Sequence, residues 1–171
     1  MQRYQTMVVL ALLSAVSAYG QRPDFSGTWK ERTRRDIVRI DKIEHRDAFL
    51  KITTQERSAP GSNLPLGYFG SGEVAYTLDG VEKTRNDPDR GRQLWWSAWW
   101  EDSSAVFQTI TKESYHVTVK REVLTLSEDG NTLTRTTRTI NMDGVTESTL
   151  IFDRQSGRAE SAGRRRLRAA L

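Results

Sequence analysis

Residues 115–153 read YHVTVKREVLTLSEDGNTLTRTTRTINMDGVTESTLIFD, and this stretch decides the fold class. Two turn signals, Asp129-Gly130 and Asp143-Gly144, separate three runs that are rich in β-branched residues. Asp-Gly is a strong hairpin signal because Gly readily adopts the positive φ that tight turns between twisted strands require. The many Thr residues favour a pleated, half-buried surface over a helix. The stretch therefore predicts a three-stranded antiparallel meander with strands at 115–127, 132–140 and 145–153.

Earlier parts of the chain repeat this pattern. Asp79-Gly80 lies between β-prone runs at 73–78 and 81–85, which predicts another hairpin. Residues 93–101 and 105–111 predict a further pair that turns at 102–104. Two polar or Gly/Pro-rich stretches, 58–72 and 86–91, are typical of a long loop and a plain turn.

The region 37–56 allows two interpretations. Ile37, Ile40 and Ile43 fit one face of a helix, whereas 38–44 and 48–54 fit two strands that turn at Arg46-Asp47. Periodicity alone does not separate them. We choose strands because 52–54 is β-prone and the rest of the chain is a meander. The sequence then predicts eight to ten short strands, and an up-and-down barrel fits best because closure removes exposed edges. A sandwich is the alternative.

Both ends of the chain are set apart from this domain. A polar start with Arg3, an apolar run at 7–16 and small residues at Ala18 and Gly20 match a cleaved secretory signal over residues 1–20. The alternative is a membrane anchor, but spanning needs roughly 20 apolar residues. Residues 155–171 have little to bury and predict a disordered basic tail. We expect an exported protein, periplasmic or secreted, with its folded domain at 21–154.

Composition removes several classes of function. The chain has no Cys, which excludes disulfides and thiolate metal sites. Segment 154–171 holds six Arg and one Glu, and Arg3 is the sole charge before residue 21, so a net charge of +4 leaves −2 for residues 21–153. The folded part does not predict a nucleic-acid groove.

The stretch Pro23-Asp24-Phe25-Ser26-Gly27-Thr28-Trp29-Lys30 contains Phe25-x-Gly27-x-Trp29 just after the predicted signal. It resembles the entry motif of the lipocalin and fatty-acid-binding (calycin) barrels. The resemblance implies that Gly27 and Trp29 lead into the first strand and that Trp29 closes the barrel base. It also implies that Trp29 packs under an Arg near the last strand, for which Arg154 is the candidate. A guanidinium over an indole is a recognised cation–π contact.

The chain also looks like a set of exported bacterial lipocalin-like proteins of unknown function. Shared features are the entry motif, a middle hairpin matched by Tyr76-Thr77-Leu78-Asp79-Gly80 and a late hairpin matched by residues 124–134. The resemblance implies a barrel that binds a small molecule. The departure is the unusually aromatic run at 94–100, and other lipocalin motifs are not evident.

Four of the five Trp residues lie between positions 95 and 100. Side chains alternate between faces in a strand, so Trp96 and Trp100 share one face and Trp95 and Trp99 the other. One pair can line a cavity while the other contacts an envelope surface, a sugar or a partner, together with the Arg-rich tail. The alternative is that one pair fills the core and the other is covered by the 58–72 loop. We name Trp96 and Trp100 as ligand-binding residues, with Tyr68 and Tyr115 added from their aromatic character alone.

Sequence motifs for catalysis or metal binding are missing. His45 and His116 are far apart in sequence, and nothing supplies the third ligand of a metal site. No nucleophile elbow, phosphate-binding loop or zinc-protease motif is present. Carboxylates such as Glu101, Asp102 and Glu122 have no evident pairing. We therefore expect a non-enzymatic protein without a cofactor, which binds a small, partly apolar ligand. An envelope interaction module is the second hypothesis, and an unrecognised enzyme is the third.

Overall fold

A computed structural model describes residues 22–32, 35–61 and 68–155. These residues form ten strands and one short 3₁₀ turn, Pro88–Arg90. The strands are β1 Gly27–Glu31, β2 Ile37–Arg46, β3 Phe49–Ser58, β4 Tyr68–Thr77, β5 Lys83–Asp87, β6 Arg92–Glu101, β7 Ser104–Glu113, β8 His116–Leu126, β9 Thr132–Asn141 and β10 Gly144–Arg154. The predicted signal (1–20) lies outside the described residues, as do residues 156–171 of the predicted tail. None of the described helices is long and apolar enough to cross a membrane.

The strands form one antiparallel sheet in the order β4-β3-β2-β1-β10-β9-β8-β7-β6-β5. The predicted all-β, up-and-down class is therefore confirmed. β8 pairs with β9 and β9 with β10, as the two Asp-Gly signals predict. The ambiguous region 37–56 forms β2 and β3, so the strand interpretation is correct there.

The hairpin predicted at Asp79-Gly80 is wrong. β4 pairs with β3 and β5 pairs with β6, but no pairing joins β4 to β5 within the described ranges. The connecting backbone bonds to other strands instead. Leu78 N–H donates to Ala48 O at 2.7 Å, and Gly80 N–H donates to Ala98 O at 2.8 Å. Gly80 has φ +72°, so its turn conformation is the expected one, yet the chain crosses to β6 rather than returning along β4.

The loop predicted at 58–72 is shorter than expected. β3 continues to Ser58 and β4 begins at Tyr68, and residues 62–67 lie outside the described part. Gly70 and Gly72 lie within β4, opposite Glu56 and Thr54 of β3. Backbone pairing with β3 overrides the turn preference of glycine at these positions.

The sheet rolls around an interior, and β4 and β5 are its two edges. The rings of Tyr76 on β4 and Phe107 on β7 lie 4.4 Å apart between centroids, although these strands are far apart in the sheet order. Arg135 on β9 likewise reaches Asp41 on β2. The sheet is therefore curved like a barrel. The predicted closure is not complete, because no strand pairing joins β4 to β5 in the described part of the chain.

Apolar side chains of the inner face form the core at one end of the interior, which we call the base. They come from most strands and from the segment before β1. The buried members are Phe25, Trp29, Ile43, Leu50, Ile52, Leu78, Ala98, Ala105, Phe107, Leu124, Leu133 and Phe152. Burial of this apolar surface is the main stabilising contribution to the fold.

Candidate ligand-binding interior

Strand β6 shows which Trp residues face inward. Ala98 is 1% exposed and belongs to the core, so alternation places Trp96 and Trp100 on the inner face with it. Trp95 and Trp99 then point outward. All four side chains are half-buried. The interior therefore contains the pair of Trp residues that we name as ligand-binding, although contact with a ligand stays a prediction.

The structure brings together the three residues that the entry motif singles out. The guanidinium carbon of Arg154 lies 4.4 Å from the ring centroid of Trp29. Trp29 is fully buried, and its indole N–H donates to Phe25 O at 2.9 Å. Gly27 has φ +145°, and an added Cβ would lie 3.2 Å from Arg154 Nη1. The absence of a side chain at Gly27 leaves room for the guanidinium.

Arg154 also joins separate parts of the base. Its Nη1 donates to Ser26 O and its Nε donates to Gly130 O, both at 2.8 Å. These bonds connect the end of β10 to the segment before β1 and to the β8–β9 turn. Hydrogen bonds from a charged donor contribute more than neutral ones. The base is thus held by one guanidinium as well as by apolar packing.

Trp100 lies in the base among protein groups. Its ring stacks on Phe25 with centroids 5.9 Å apart and an interplanar angle of 18°. His45 lies 5.7 Å from it, and the Arg22 guanidinium lies 5.3 Å above the ring. Its indole N–H is buried and has no hydrogen-bond partner among the described residues. Both Trp96 and Trp100 point inward, but only Trp100 makes these contacts in the base.

A layer of charged side chains lies on the inner face above the apolar base. Arg135 Nε donates to Glu122 Oε1 at 2.8 Å, and its Nη1 lies 3.4 Å from Asp41 Oδ2. Arg39 Nε lies 3.1 Å from Asp41 Oδ1, and Lys120 Nζ lies 3.1 Å from Glu122 Oε2. We call Arg39, Asp41, Lys120, Glu122 and Arg135 the charged layer. Each of its carboxylates is held by two cations.

The electrostatics of the charged layer keep Glu122 ionised. Burial disfavours its charged form, but Arg135 and then Lys120 outweigh this effect and lower the pKa of the carboxyl below its ordinary value. The pKa of Tyr76 is raised, first by burial and second by the negative charge of Glu122. Tyr76 therefore stays neutral and keeps its hydroxyl proton at the inner face.

The inner face beyond the charged layer is polar and reaches solvent. Alternation from Phe107, Leu124, Leu133 and Phe152 places hydroxyl side chains of β7 to β10 on this face. They are Thr109, Thr111, Thr118, Thr137, Thr139, Thr146 and Ser148, of which Thr146 and Ser148 are exposed. The interior is thus filled at the base and open at the opposite end. Threonine hydroxyls there can donate or accept hydrogen bonds.

Of the two tyrosines named from the sequence, Tyr115 does not join this group. Tyr115 lies in the β7–β8 turn and is 95% exposed, so it does not line the interior. The turn is tight, with Ser114 at φ +52°, and the side chain of Tyr115 points to solvent. Tyr68 opens β4 opposite Arg57, and its side chain lies outside the described part.

The outer face of β6 combines aromatic and aliphatic side chains. Trp95 is flanked across the sheet by Ile110, and Val119 and Ile140 continue the same row on β8 and β9. Arg121 lies 5.8 Å above the Trp99 ring and forms an ion pair with a carboxylate at the end of β6. Trp99 is thus partly covered by a charged side chain, whereas the row through Trp95 continues past Ile140 to Val145 on β10, and these two residues are 42% and 53% exposed.

The charged layer was missed in the sequence, although its members were visible. Glu122 has no evident pairing there, but the fold places Arg135 against it across the β8–β9 ladder. Alternation from Leu133 to Arg135 is the signal that could have placed Arg135 on the inner face. Asp41 is far from both in sequence, and only the rolled sheet brings it near. Among the described residues, no group of three or more potential metal ligands is present.

The described residues define an antiparallel all-β protein of ten up-and-down strands. No family model matches the chain, and no curated protein matches it. Among solved structures, it is similar to a "secretary abundant heat soluble" (SAHS) protein from Ramazzottius varieornatus. The TM-score is 0.49 at 11% sequence identity, and the match covers 80% of this chain and 100% of that chain.

Proposed function

We propose that the chain is a lipocalin-like binding protein that holds a small, partly apolar molecule in the interior of its rolled sheet. One observation carries the proposal: the inner face is tightly packed at the base, but is polar and open to solvent at the opposite end. Ligand sites are typically concave, with apolar walls and a few placed polar groups. Trp96 and Leu94 supply apolar wall on β6, and the threonine hydroxyls and Tyr76 supply the polar groups.

A binding role fits the chemistry of the interior better than a catalytic one. Glu122 and Asp41 are the two carboxylates of the charged layer, and each is held between two cations. The pKa of Glu122 is lowered below its ordinary value, whereas a general acid or base needs a pKa near the working pH. The proposed role is therefore to bind and orient a ligand.

Adjacent Trp residues on β6 provide a matched test. Trp96→Ala removes an inner wall, whereas Trp95→Ala removes the same side chain from the outer face one residue away. We expect the neutral apolar probe N-phenyl-1-naphthylamine to bind the wild-type chain and Trp95→Ala alike, and Trp96→Ala at least about tenfold more weakly. Equal affinity for folded Trp96→Ala and Trp95→Ala would contradict an interior site that uses Trp96.

Native mass spectrometry of the chain recovered from its producing cells gives an independent measurement. A discrete added mass that is lost on denaturation would identify a resident ligand and begin to define its class. Probe binding that persists after full removal of any such ligand would show that the site is preformed.

We propose as a second function that the outer face of β6 contacts an envelope partner. The apolar row through Trp95 supports it, because large exposed apolar patches mark interaction sites. Co-purification of a lipid, polysaccharide or protein should then be lost in Trp95→Ala/Trp99→Ala but kept in Trp96→Ala. A folded outer-face double variant that retains its partner would contradict this function.

We propose that either function is performed after export, in a periplasm or outside the cell. The apolar run and small residues of segment 1–20 support export. N-terminal sequencing of the purified protein tests it, because cleavage after Ala18 leaves Tyr19 as the first residue and cleavage after Gly20 leaves Gln21. An intact Met1 on the purified protein would contradict export by a cleaved signal.

A further inference from the structure

A second polar feature lies on β5 and β6, away from the charged layer, and it opens to solvent, since Arg85 and Arg90 are exposed. A cavity of about 330 Å³ is lined by Arg85, Asp87, Arg90, Arg92 and Leu94. In the β5–β6 register, Arg85 lies opposite Leu94, and Asp87 lies opposite Arg92. Alternation from Ala98 puts Leu94 and Arg92 on the inner face. We call this space the arginine cavity.

The arginine cavity carries an excess of positive charge. Among the described residues, three guanidinium groups line it with one carboxylate, and Asp87 approaches Arg90 only to 3.9 Å. The structure gives neither Arg85 nor Arg92 an ion pair with any described residue. Glu113 lies opposite Arg92 in the β6–β7 register, yet it is exposed and no ion pair joins the two. The arginines of the charged layer differ, since each of them is bound to carboxylates.

One residue that lines the cavity has a buried donor without an acceptor. Arg92 Nε is buried and makes no hydrogen bond with any described residue. A buried donor without a partner raises the free energy of the folded state, and the cost is larger when the group is charged. The fork of a guanidinium matches the oxygens of a carboxylate or a phosphate in geometry as well as in charge.

We propose that the arginine cavity binds an anionic oxygen group, carboxylate or phosphate, at one end of an amphipathic ligand. The inference rests on the proposed function, because the apolar part of that ligand would follow Leu94 and Trp96 along the inner face of β6. The guanidinium of Arg92 supplies donors to the anion, and Arg85 supplies a second guanidinium from the facing strand. The cavity thus selects the charge of the ligand, while the interior accepts its apolar part.

The test compares ligands that share one alkyl chain. Isothermal titration of the full chain would use dodecanoate, dodecyl phosphate, neutral dodecanol and the dodecyltrimethylammonium cation, with inorganic phosphate as a head group alone. We expect both anions to bind at least about tenfold more tightly than dodecanol, and the cation to bind most weakly. A preference for one anion over the other distinguishes a carboxylate ligand from a phosphate ligand.

Two double variants separate a specific site from general charge. Arg85→Gln/Arg92→Gln removes two charges from the arginine cavity. Arg46→Gln/Arg57→Gln removes the same two charges from exposed positions of β2 and β3. We expect the first variant to lose the preference for anions, with dodecanol affinity unchanged, and the second to bind as the wild type does.

Each outcome decides a different claim. Dodecanol that binds as tightly as dodecanoate, in both the wild type and Arg85→Gln/Arg92→Gln, would overturn the arginine cavity and leave the proposed function standing. Failure of every alkyl ligand, with inorganic phosphate still bound in an Arg85- and Arg92-dependent manner, would overturn the proposed function and support an anion site. An equal loss in both double variants would show that long-range charge alone attracts anions, and it would also overturn the specific site.

Discussion

Replacement of Arg135 by Met tests whether its guanidinium compensates the two buried carboxylates of the charged layer. Arg135 contacts Glu122 Oε1 at 2.8 Å and Asp41 Oδ2 at 3.4 Å, and these two carboxylate side chains are 9% and 3% exposed. Removing one partner of a buried pair is strongly destabilising because it leaves an uncompensated charge. Lys120 and Arg39 still hold one carboxylate each, so we expect a loss at the low end of the usual range, about 3 kcal/mol.

Urea unfolding measures this loss. With an m-value of about 2 kcal/mol per molar urea, the midpoint should fall by roughly 1.5 M. Arg138→Met is the matched control, since Arg138 lies on the outer face of the same strand and pairs with Glu147 at 3.4 Å with both side chains more than half exposed. An exposed pair contributes at most about 1 kcal/mol. Equal midpoints for the two variants would refute the argument that Arg135 compensates buried carboxylates.

The pH dependence of stability gives a second test of Arg135→Met. The folded-state pKa of Glu122 is lowered from an ordinary value of 4.5, so the ionised carboxylate stabilises the fold above that pH, and this contribution is lost as the pH falls through the lowered value. Without Arg135, burial acts against Lys120 alone and the folded pKa rises. The stability difference between wild type and Arg135→Met should therefore narrow as the pH falls below 4.5. A difference that widens on acidification would contradict this sign.

Two further predictions concern the base. Trp29→Ala should lower the free energy of unfolding by about 3–5 kcal/mol, because a fully buried indole and its bond to Phe25 O are removed; a near-unchanged thermal midpoint would show that Trp29 does not close the base. Gly27→Ala should lower the free energy of unfolding by about 1–3 kcal/mol, because φ is +145° and the new Cβ lies 3.2 Å from Arg154 Nη1. Gly130→Ala is the control for backbone strain alone, since φ is +69° and the space around its Cβ is open. An equal loss of stability in both variants would contradict a role for the contact between residue 27 and the guanidinium.

Most strands could be predicted from the sequence because their signals are local. Asp129-Gly130 and Asp143-Gly144 each combine a turn that requires a special φ with flanking β-branched runs, and both hairpins form. Asp79-Gly80 carries the same local signal, yet the strands beside it do not pair with each other in the described part. A turn signal says that the chain changes direction, but the partner of each strand depends on the whole sheet, as the bond from Gly80 to Ala98 shows.

The interior was only partly predictable for a related reason. Alternation alone pairs Trp96 with Trp100 and Trp95 with Trp99, but the buried Ala98 is needed to say which pair is inside. The charged layer needs more, since its carboxylate on β2 and its guanidinium on β9 are 94 residues apart in sequence and meet only because both strands belong to one rolled sheet. In sequence, each of these side chains is typical of a solvated strand position.

The composition of the inner face supports the proposed binding function. A buried ion network contributes little net stability compared with apolar residues of similar volume. This chain packs such residues at its base, where Trp29, Leu124 and Phe152 are almost completely buried. Polar groups begin only above that base and continue to the open end. Along one face, the side chains change from apolar to charged and hydroxylic. A space filled by solvent or ligand explains this change better than the needs of folding do. The arginine cavity extends the same polar surface to the edge strand β5.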